Sequence, residues 1–330
     1  MPSPRAETLR PLVGDLRQLA SVRRMVLDDG PERGVPVLAL SSGGGLDLWL
    51  LAGRGLDIGP LWFRGRPMAW QAPPGYAHPA LSVPDRDAGR GIQRLLSGFL
   101  TTCGLERIRQ GDATGPLHGR LGCAPARVLA AGEHWDRDEP VIEVVAQTVQ
   151  YRLGGESLLL HRRVQVPIGG CTLRLEDRVT NEGPQSQAHE LLYHFNLGHP
   201  AIGPGTRVVR GDQTLAGPLA MPLVQACGEA SCLCADDAAV VVRTPGADGL
   251  GLSITFACDA STLPWLQLWH DLRPRCGLLC VEPCTSERVH GGRSASTPFL
   301  EPGESRCYRV EIGFAESDER PTKTAQGDDR

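Results

Sequence analysis

Two short stretches set carboxylate and imidazole groups among residues otherwise suited to a hydrophobic core. The first is Ala188-His-Glu-Leu-Leu-Tyr-His-Phe-Asn-Leu-Gly-His199. An extended backbone sends alternate side chains to opposite faces. Read as a strand from His189 to Leu197, it puts Glu190, Leu192, His194 and Asn196 on one face, and His189, Leu191, Tyr193, Phe195 and Leu197 on the other. The second face is for packing. The first sets a carboxylate, an imidazole and an amide in a row, and such groups, if buried, must be hydrogen-bonded or border a wet cleft. His194 is therefore either an acid–base group or an internally satisfied structural histidine. The second stretch is Gly277-Leu-Leu-Cys-Val-Glu-Pro-Cys284. Here Glu282 follows an apolar run and precedes a proline expected to stop the strand ladder. Burial would raise its pKa towards the range useful to a general base. A salt bridge to one of the arginines is the competing reading.

Other segments carry weaker signals. Gly115-Pro-Leu-His-Gly-Arg-Leu-Gly122 reads as a turn with His118 and Arg120 near its tip, where glycines let backbone approach a ligand. Gly53-Arg-Gly-Leu-Asp-Ile-Gly59 puts Arg54 and Asp57 in a glycine-rich turn without the spacing of a dinucleotide fingerprint. Ser42-Gly-Gly-Gly45 lacks the Lys-Ser/Thr and helix of a phosphate loop and reads as a hairpin turn. In Leu263-Pro-Trp-Leu-Gln-Leu-Trp-His270 the tryptophans could stack on a sugar face beside His270, or simply fill core. Cys276, Cys280 and Cys284 recur every four residues, but on a strand Cys280 and Cys284 stand ~13 Å apart, too far for one ion. No metal site is expected, and the thiols are read as packing groups.

These groups need elements to hold them. Helical periodicity is weak almost throughout. Short alternating or apolar runs dominate, ended by Gly, Pro, Asn or Asp: 35–40, 46–51, 141–151, 158–166, 172–179, 238–242, 251–256, 277–282 and 306–314. Only 88–100 suggests a short helix or irregular turn. The pattern predicts an all-β protein of two large stacked sheets, with strands of about five to nine residues. Residues 1–315 read as one domain and 316–330 as a disordered polar tail. Of 34 basic residues Lys323 is the only lysine and lies in that tail, which excludes a lysine Schiff-base enzyme. A net charge of −4 offers no field for nucleic acid or anionic membrane, and no apolar run is long enough to span a bilayer. Eleven cysteines without an export signal suggest reduced thiols and a cytoplasmic location.

The ordered series RGLDIG, TTCGLERI, LHGRLGCAPA, DRVTNEG, LLYHFNLGHP, LPWLQLW and CVEPCT resembles the aldose 1-epimerase (galactose mutarotase-like) superfamily over about residues 35–315. It is closest to an uncharacterised bacterial branch. The resemblance implies a large antiparallel β-supersandwich, no cofactor, and interconversion of the α and β anomers of a monosaccharide. It implies that Glu282 is the base that takes the anomeric proton, that His194 is the acid that protonates the ring oxygen, and that His118 binds the sugar. Arg54, Asp57, Arg120, Asn196, Trp269 and His270 are weaker candidates for sugar contacts. Better-characterised mutarotases carry the acid three residues before the Phe of a YFNL-like run. Here Leu192 holds that place and His194 sits one residue before Phe195, so His118 is the alternative acid. Arg54 and Arg120 allow an anionic sugar. A non-catalytic sugar-binding protein, or a different isomerase or lyase on the same scaffold, are the alternative functions.

Overall fold

The computed structural model describes residues 6–109, 115–222, 230–246 and 250–317. The clearest strands are those whose sequence alternates. Val141–Tyr151, Ser157–Pro167 and Thr172–Asn181 bury every second residue, among them Val144, Leu160, Val164 and Leu175. They pair antiparallel, and Thr172–Asn181 also pairs with Ser305–Ser317, from the far end of the chain. Gly251–Cys258, Val240–Thr244, Arg207–Arg210 and Gln213–Ala216 continue the sheet on one side, and Arg127–His134 closes it on the other. These nine strands form the first layer.

The second layer runs Ser21–Val26, Pro36–Ser41, Leu46–Leu51, Asp57–Phe63, Leu100–Leu105, Glu190–Leu197, Leu278–Cys284, Trp265–Asp271, Ser231–Cys234, with the short Arg66–Pro67 paired to Asp57–Phe63. Its inner face meets the first layer. Leu191, Tyr193, Phe195, Leu197, Leu279 and Val281 join Val144, Leu160, Leu175, Ile254 and Phe256 in one apolar core. Full burial of each such side chain is worth about 1.5–3 kcal/mol. The all-β sandwich expected from the turn-punctuated runs is the observed architecture. Between Pro36–Ser41 and Leu46–Leu51 the Ser42–Gly45 segment is a hairpin connection. No helix among the described residues is long and apolar enough to cross a membrane.

Two expectations change. Four strands of the first layer reach 10 to 13 residues: Val141–Tyr151 keeps the bounds of its run, and the other three outrun theirs because antiparallel partners on both sides keep their ladders satisfied. Ser305–Ser317 runs two residues into the segment expected to be disordered, by pairing Gly251 with Ser317. The rest of that tail, 318–330, lies outside the described residues. The 88–100 stretch is, as expected, irregular: a single turn, Arg86–Gly89, left-handed at Asp87 and Ala88, then a 3-10 turn, Gly91–Arg94, before the strand Leu100–Leu105 begins.

One polar group sits between the layers. Arg162, 1% exposed, donates through Nε and Nη2 to Asp177 at 2.9 and 2.6 Å and through Nη2 to Thr102 Oγ1 at 2.9 Å. Tyr193 donates its hydroxyl to Asp177 Oδ2 at 2.7 Å. Asp57 accepts from the Thr102 amide at 2.9 Å and lies 3.5 Å from Arg162 Nη1. A buried charge is tolerable only when so paired. The cluster ties five strands together beneath the outer face.

Candidate active site

The outer face of the second layer carries the candidate site. On Glu190–Leu197 it presents Leu192, His194 and Asn196, and on Leu278–Cys284 it presents Cys280, Glu282 and Cys284. Register sets Leu192 opposite Cys284 and Asn196 opposite Cys280, so His194 and Glu282 face each other across the pair. The ladder is interrupted between Leu192↔Cys284 and Phe195↔Val281. Pro283, which lacks an N–H, falls in that gap. Contrary to expectation the strand does not end at Glu282. It continues to Cys284 because Pro283 still pairs with Leu266 on the other side. The missing donor loosens the ladder beside the His194–Glu282 pair instead.

Glu282 is fully buried, and His194 is 5% exposed. Their nearest atoms, Glu282 Oε1 and His194 Nε2, are 3.6 Å apart. Each group is held by its other atom. Asn196 Oδ1 accepts from His194 Nδ1 at 2.6 Å, and Asn196 Nδ2 donates to the Gly98 carbonyl at 3.2 Å, which fixes the amide's orientation. Nδ1 therefore carries a hydrogen and Nε2 is the working nitrogen. Gln267 Nε2 donates to Glu282 Oε2. Gln267 is in turn held by Arg109, whose Nη1 donates to its Oε1 at 2.7 Å, while Arg109 Nη2 donates to the Ser286 carbonyl. Glu282 Oε1 is left with no hydrogen-bond partner among the described residues. Burial pushes the Glu282 carboxyl above the usual carboxylate range, opposed by His194, Arg109 and the Gln267 hydrogen bond.

His118 closes one side. Its ring centroid is 5.3 Å from that of His194, edge to face. Its backbone is left-handed, φ +63°, a conformation costing about 1–2 kcal/mol in an ordinary residue. The turn is held by the Gly104 amide donating to the His118 carbonyl at 3.0 Å and by Arg120 N donating to Gly104 O at 3.0 Å. Gly119, at φ +68°, allows this approach, since a Cβ there would lie 2.2 Å from Gly104 O. His118 Nδ1 donates to the Ile108 carbonyl at 3.0 Å, and the Ile108 amide donates to Glu190 Oε2 at 3.1 Å. His118 is half-buried, and burial and the neighbouring His194 hold its pKa down to about 3. It is neutral at pH 7, with Nε2 an acceptor.

The other expected residues divide. Arg54 is fully buried and donates to Ser97 O at 3.2 Å and to Thr101 Oγ1 at 3.4 Å, Thr101 being the register partner of His194. Trp269 is half-buried and shares the outer face, opposite Cys280. Asp57 is not at this face: it belongs to the inter-layer Arg162 cluster. Arg120 is drawn aside by Asp85 and Glu106, at 2.6 and 2.8 Å, into a neighbouring cleft of about 760 Å³ that Arg109 also borders. His270 alternates to the face opposite Trp269, so the two do not act as a pair there. Leu192, two residues before His194 on the same face, packs with Cys103, Ile108 and Cys284.

Arg109 and Gln267 were not among the expected site residues. Gln267 had a signal: it is the polar member of the alternating row Trp265, Gln267, Trp269. Arg109 had none, because only folding brings its loop to Gln267. All ten cysteines among the described residues are free.

Two large stacked antiparallel layers define a galactose mutarotase-like β-supersandwich fold. The chain belongs to the family described as a domain of unknown function, DUF4432, whose sequence profile matches residues 32–217. A Klebsiella pneumoniae protein provisionally described as an aldose 1-epimerase is 21% identical with a TM-score of 0.77, over 91% of this chain and 86% of that one. A galactose mutarotase-like protein from Clostridium acetobutylicum is 14% identical with a TM-score of 0.64, over 91% and 100%. A galactose 1-epimerase from Lactobacillus acidophilus is 12% identical with a TM-score of 0.55, over 90% and 99%. No curated protein matches the sequence significantly.

Proposed function

We propose that the protein is a carbohydrate mutarotase that interconverts the anomers of a monosaccharide or sugar derivative, with Glu282 as base and His194 as acid. One observation carries the reading. Each of the two groups is pinned by one atom and leaves the other free, and the two free atoms, Oε1 and Nε2, converge at 3.6 Å on the outer face. Anomer exchange needs a base and an acid for two oxygens on a single carbon, which this spacing suits.

In the productive state Glu282 is a carboxylate and His194 an imidazolium. Oε1 takes the proton of the anomeric hydroxyl as Nε2 gives its proton to the ring oxygen. The C–O ring bond breaks and an aldehyde forms. Rotation about the adjacent C–C bond presents the other carbonyl face, and both proton transfers reverse to close the other anomer. Proton count is conserved over the cycle. The Gln267–Arg109 relay keeps Oε1 aimed at the substrate, and Asn196 keeps Nε2 aimed. His118, neutral and with its Nε2 an acceptor, suits a sugar hydroxyl better than it suits the acid role. Trp269 offers a stacking surface beside the pair.

The test is magnetisation-exchange NMR on a panel of neutral and acidic aldoses, with the wild type and Glu282→Gln. Faster anomer exchange on at least one sugar, lost in the variant, is the expected result. Binding without faster exchange, equal in both proteins, would replace the mutarotase by a sugar-binding protein.

A further inference from the structure

The mutarotase reading uses His194 and Glu282 and leaves Cys280 without a task. Cys280 is two residues before Glu282 on the same strand and the same face, fully buried, and opposite Asn196. One nitrogen of His194, the Cys280 sulfur and one oxygen of Glu282 all lie within 4.8 Å of one another. We propose that His194, Cys280 and Glu282 form a binding site for a zinc-class divalent cation, and that the cation switches the anomer chemistry off by occupying its two working atoms.

The donor set is the first argument. A thiolate, an imidazole and a carboxylate are the ligands zinc takes, and three protein ligands with one open position is its usual arrangement where the fourth site is exchangeable. Magnesium and calcium prefer oxygen cages and would be poorly served by sulfur and nitrogen. Glu282 Oε1 and the Cys280 thiolate supply two negative charges to a dication, with His194 neutral. Arg109 and Arg288 add opposing positive charge nearby, which limits affinity and keeps the ion exchangeable.

The second argument is the surroundings of the ligands. Metal-bound histidines and carboxylates are usually held by outer hydrogen bonds on their non-ligating atoms. That pattern is already in place: Asn196 Oδ1 on His194 Nδ1 at 2.6 Å, and Gln267 Nε2 on Glu282 Oε2. The third is the fully buried Glu282 Oε1, aimed into the cluster and without a hydrogen-bond partner among the described residues. Cys280 Sγ makes a weak contact with Asn196 Oδ1 at 3.6 Å. Zinc bonds of about 2.0–2.3 Å require the donors to close in by roughly 1 Å, which side-chain torsions supply. On binding, the thiol proton leaves to solvent and the ion takes the sulfur, Nε2 and Oε1. Inhibition presupposes the anomer chemistry proposed above. Cation binding does not.

The decisive experiment is a cobalt(II) titration of the chelator-treated full chain, followed by absorbance, with zinc as competitor. One equivalent should produce a thiolate-to-cobalt charge-transfer band and intense tetrahedral visible bands, both displaced by zinc. Cys280→Ser should lose the charge-transfer band and bind zinc more weakly by upwards of about 100-fold, more than loss of an outer hydrogen bond costs. Cys232→Ser, on the edge strand Ser231–Cys234 beyond Trp265–Asp271, should keep both. If Cys280→Ser misfolds, His194→Gln should still abolish the tetrahedral bands. A band that survives both substitutions, or no stoichiometric binding, overturns the site. Zinc should also slow anomer exchange in the wild type, reversibly with chelator, and the fractional slowing, referred to each protein's own zinc-free rate, should be lost in Cys280→Ser. Cobalt binding with no effect of zinc on exchange overturns the switch alone. Cobalt binding in a protein that exchanges no sugar keeps the site and refutes the mutarotase.

Discussion

Replacing Glu282 by Gln is the most discriminating perturbation of the proposed base. The side chain is isosteric and fully buried, so packing is unchanged. The introduced amide accepts the Gln267 Nε2 hydrogen bond through its oxygen, in place of Oε2. Its –NH₂ then points at His194 Nε2, 3.6 Å from the former Oε1, and can donate to it. Stability should change by no more than about 1 kcal/mol, since a weakened charged hydrogen bond is offset by removal of a desolvated charge. Catalysis should fall much further. No basic oxygen remains, and Nε2 becomes an occupied acceptor. Positioned acid–base groups contribute about 10²–10⁴-fold, or roughly 3–5 kcal/mol of barrier. Loss should fall on kcat rather than KM, because the proton transfer exists only in the transition state. The pH profile adds a signature. Burial holds the Glu282 carboxyl above its ordinary range, so wild-type exchange should rise with pH through that raised value as the carboxylate forms. The residual rate of the variant should lack this limb. Saturation-transfer NMR measures both, and a thermal melt controls for folding. A variant with a native melt and exchange within tenfold of the wild type would refute Glu282 as base.

Arg162→Met removes the cation between Asp57 and Asp177 and leaves two carboxylates uncompensated in the core, so denaturant unfolding should show a loss of about 3–5 kcal/mol; a loss under about 1 kcal/mol would contradict the role given to the cluster. His189 is buried between the Leu105 carbonyl and the Tyr308 hydroxyl, and burial lowers its pKa to about 4. Above the ordinary value of 6.5 neither folded nor unfolded state is charged, whereas between 6.5 and about 4 only the unfolded chain gains the proton. Stability should therefore fall as pH drops through that window, by about 3 kcal/mol for this group, and the difference between wild type and His189→Gln in urea unfolding at pH 7 and pH 4 should recover it. Gly119→Ala places a Cβ 2.2 Å from Gly104 O at φ +68° and should dislodge His118; sugar titration by NMR should show weakened binding while the pH dependence of exchange, set by Glu282, is unmoved.

The fold was legible because its cause is local. Period-two alternation in 141–151, 158–166 and 172–179 marks strands that must bury one face, and the structure keeps the first as it stands and lengthens the other two only slightly, to Ser157–Pro167 and Thr172–Asn181. The partition of 189–197 into a packing row and a polar row was legible for the same reason, and Leu191, Tyr193, Phe195 and Leu197 do lie in the core. Edge strands such as Arg127–His134, half-exposed and carrying Ala and Gly, leave no such pattern, and they form because a longer neighbour supplies the ladder.

The placement of polar groups was decided elsewhere. Asp57 and Arg54 are three residues apart in one glycine-rich turn, yet one is drawn under the sheet by Arg162 and the other extends towards Thr101. Arg120 is two residues from His118, but two carboxylates on other segments hold it away. Arg109 meets Gln267 across 158 residues of chain. Sequence alone determines which face a strand residue takes, because the backbone repeats every two residues. Which charges meet depends on strand order, register and loop path, and the free energy of a buried charge is set by the partners those bring, not by its neighbours in the chain.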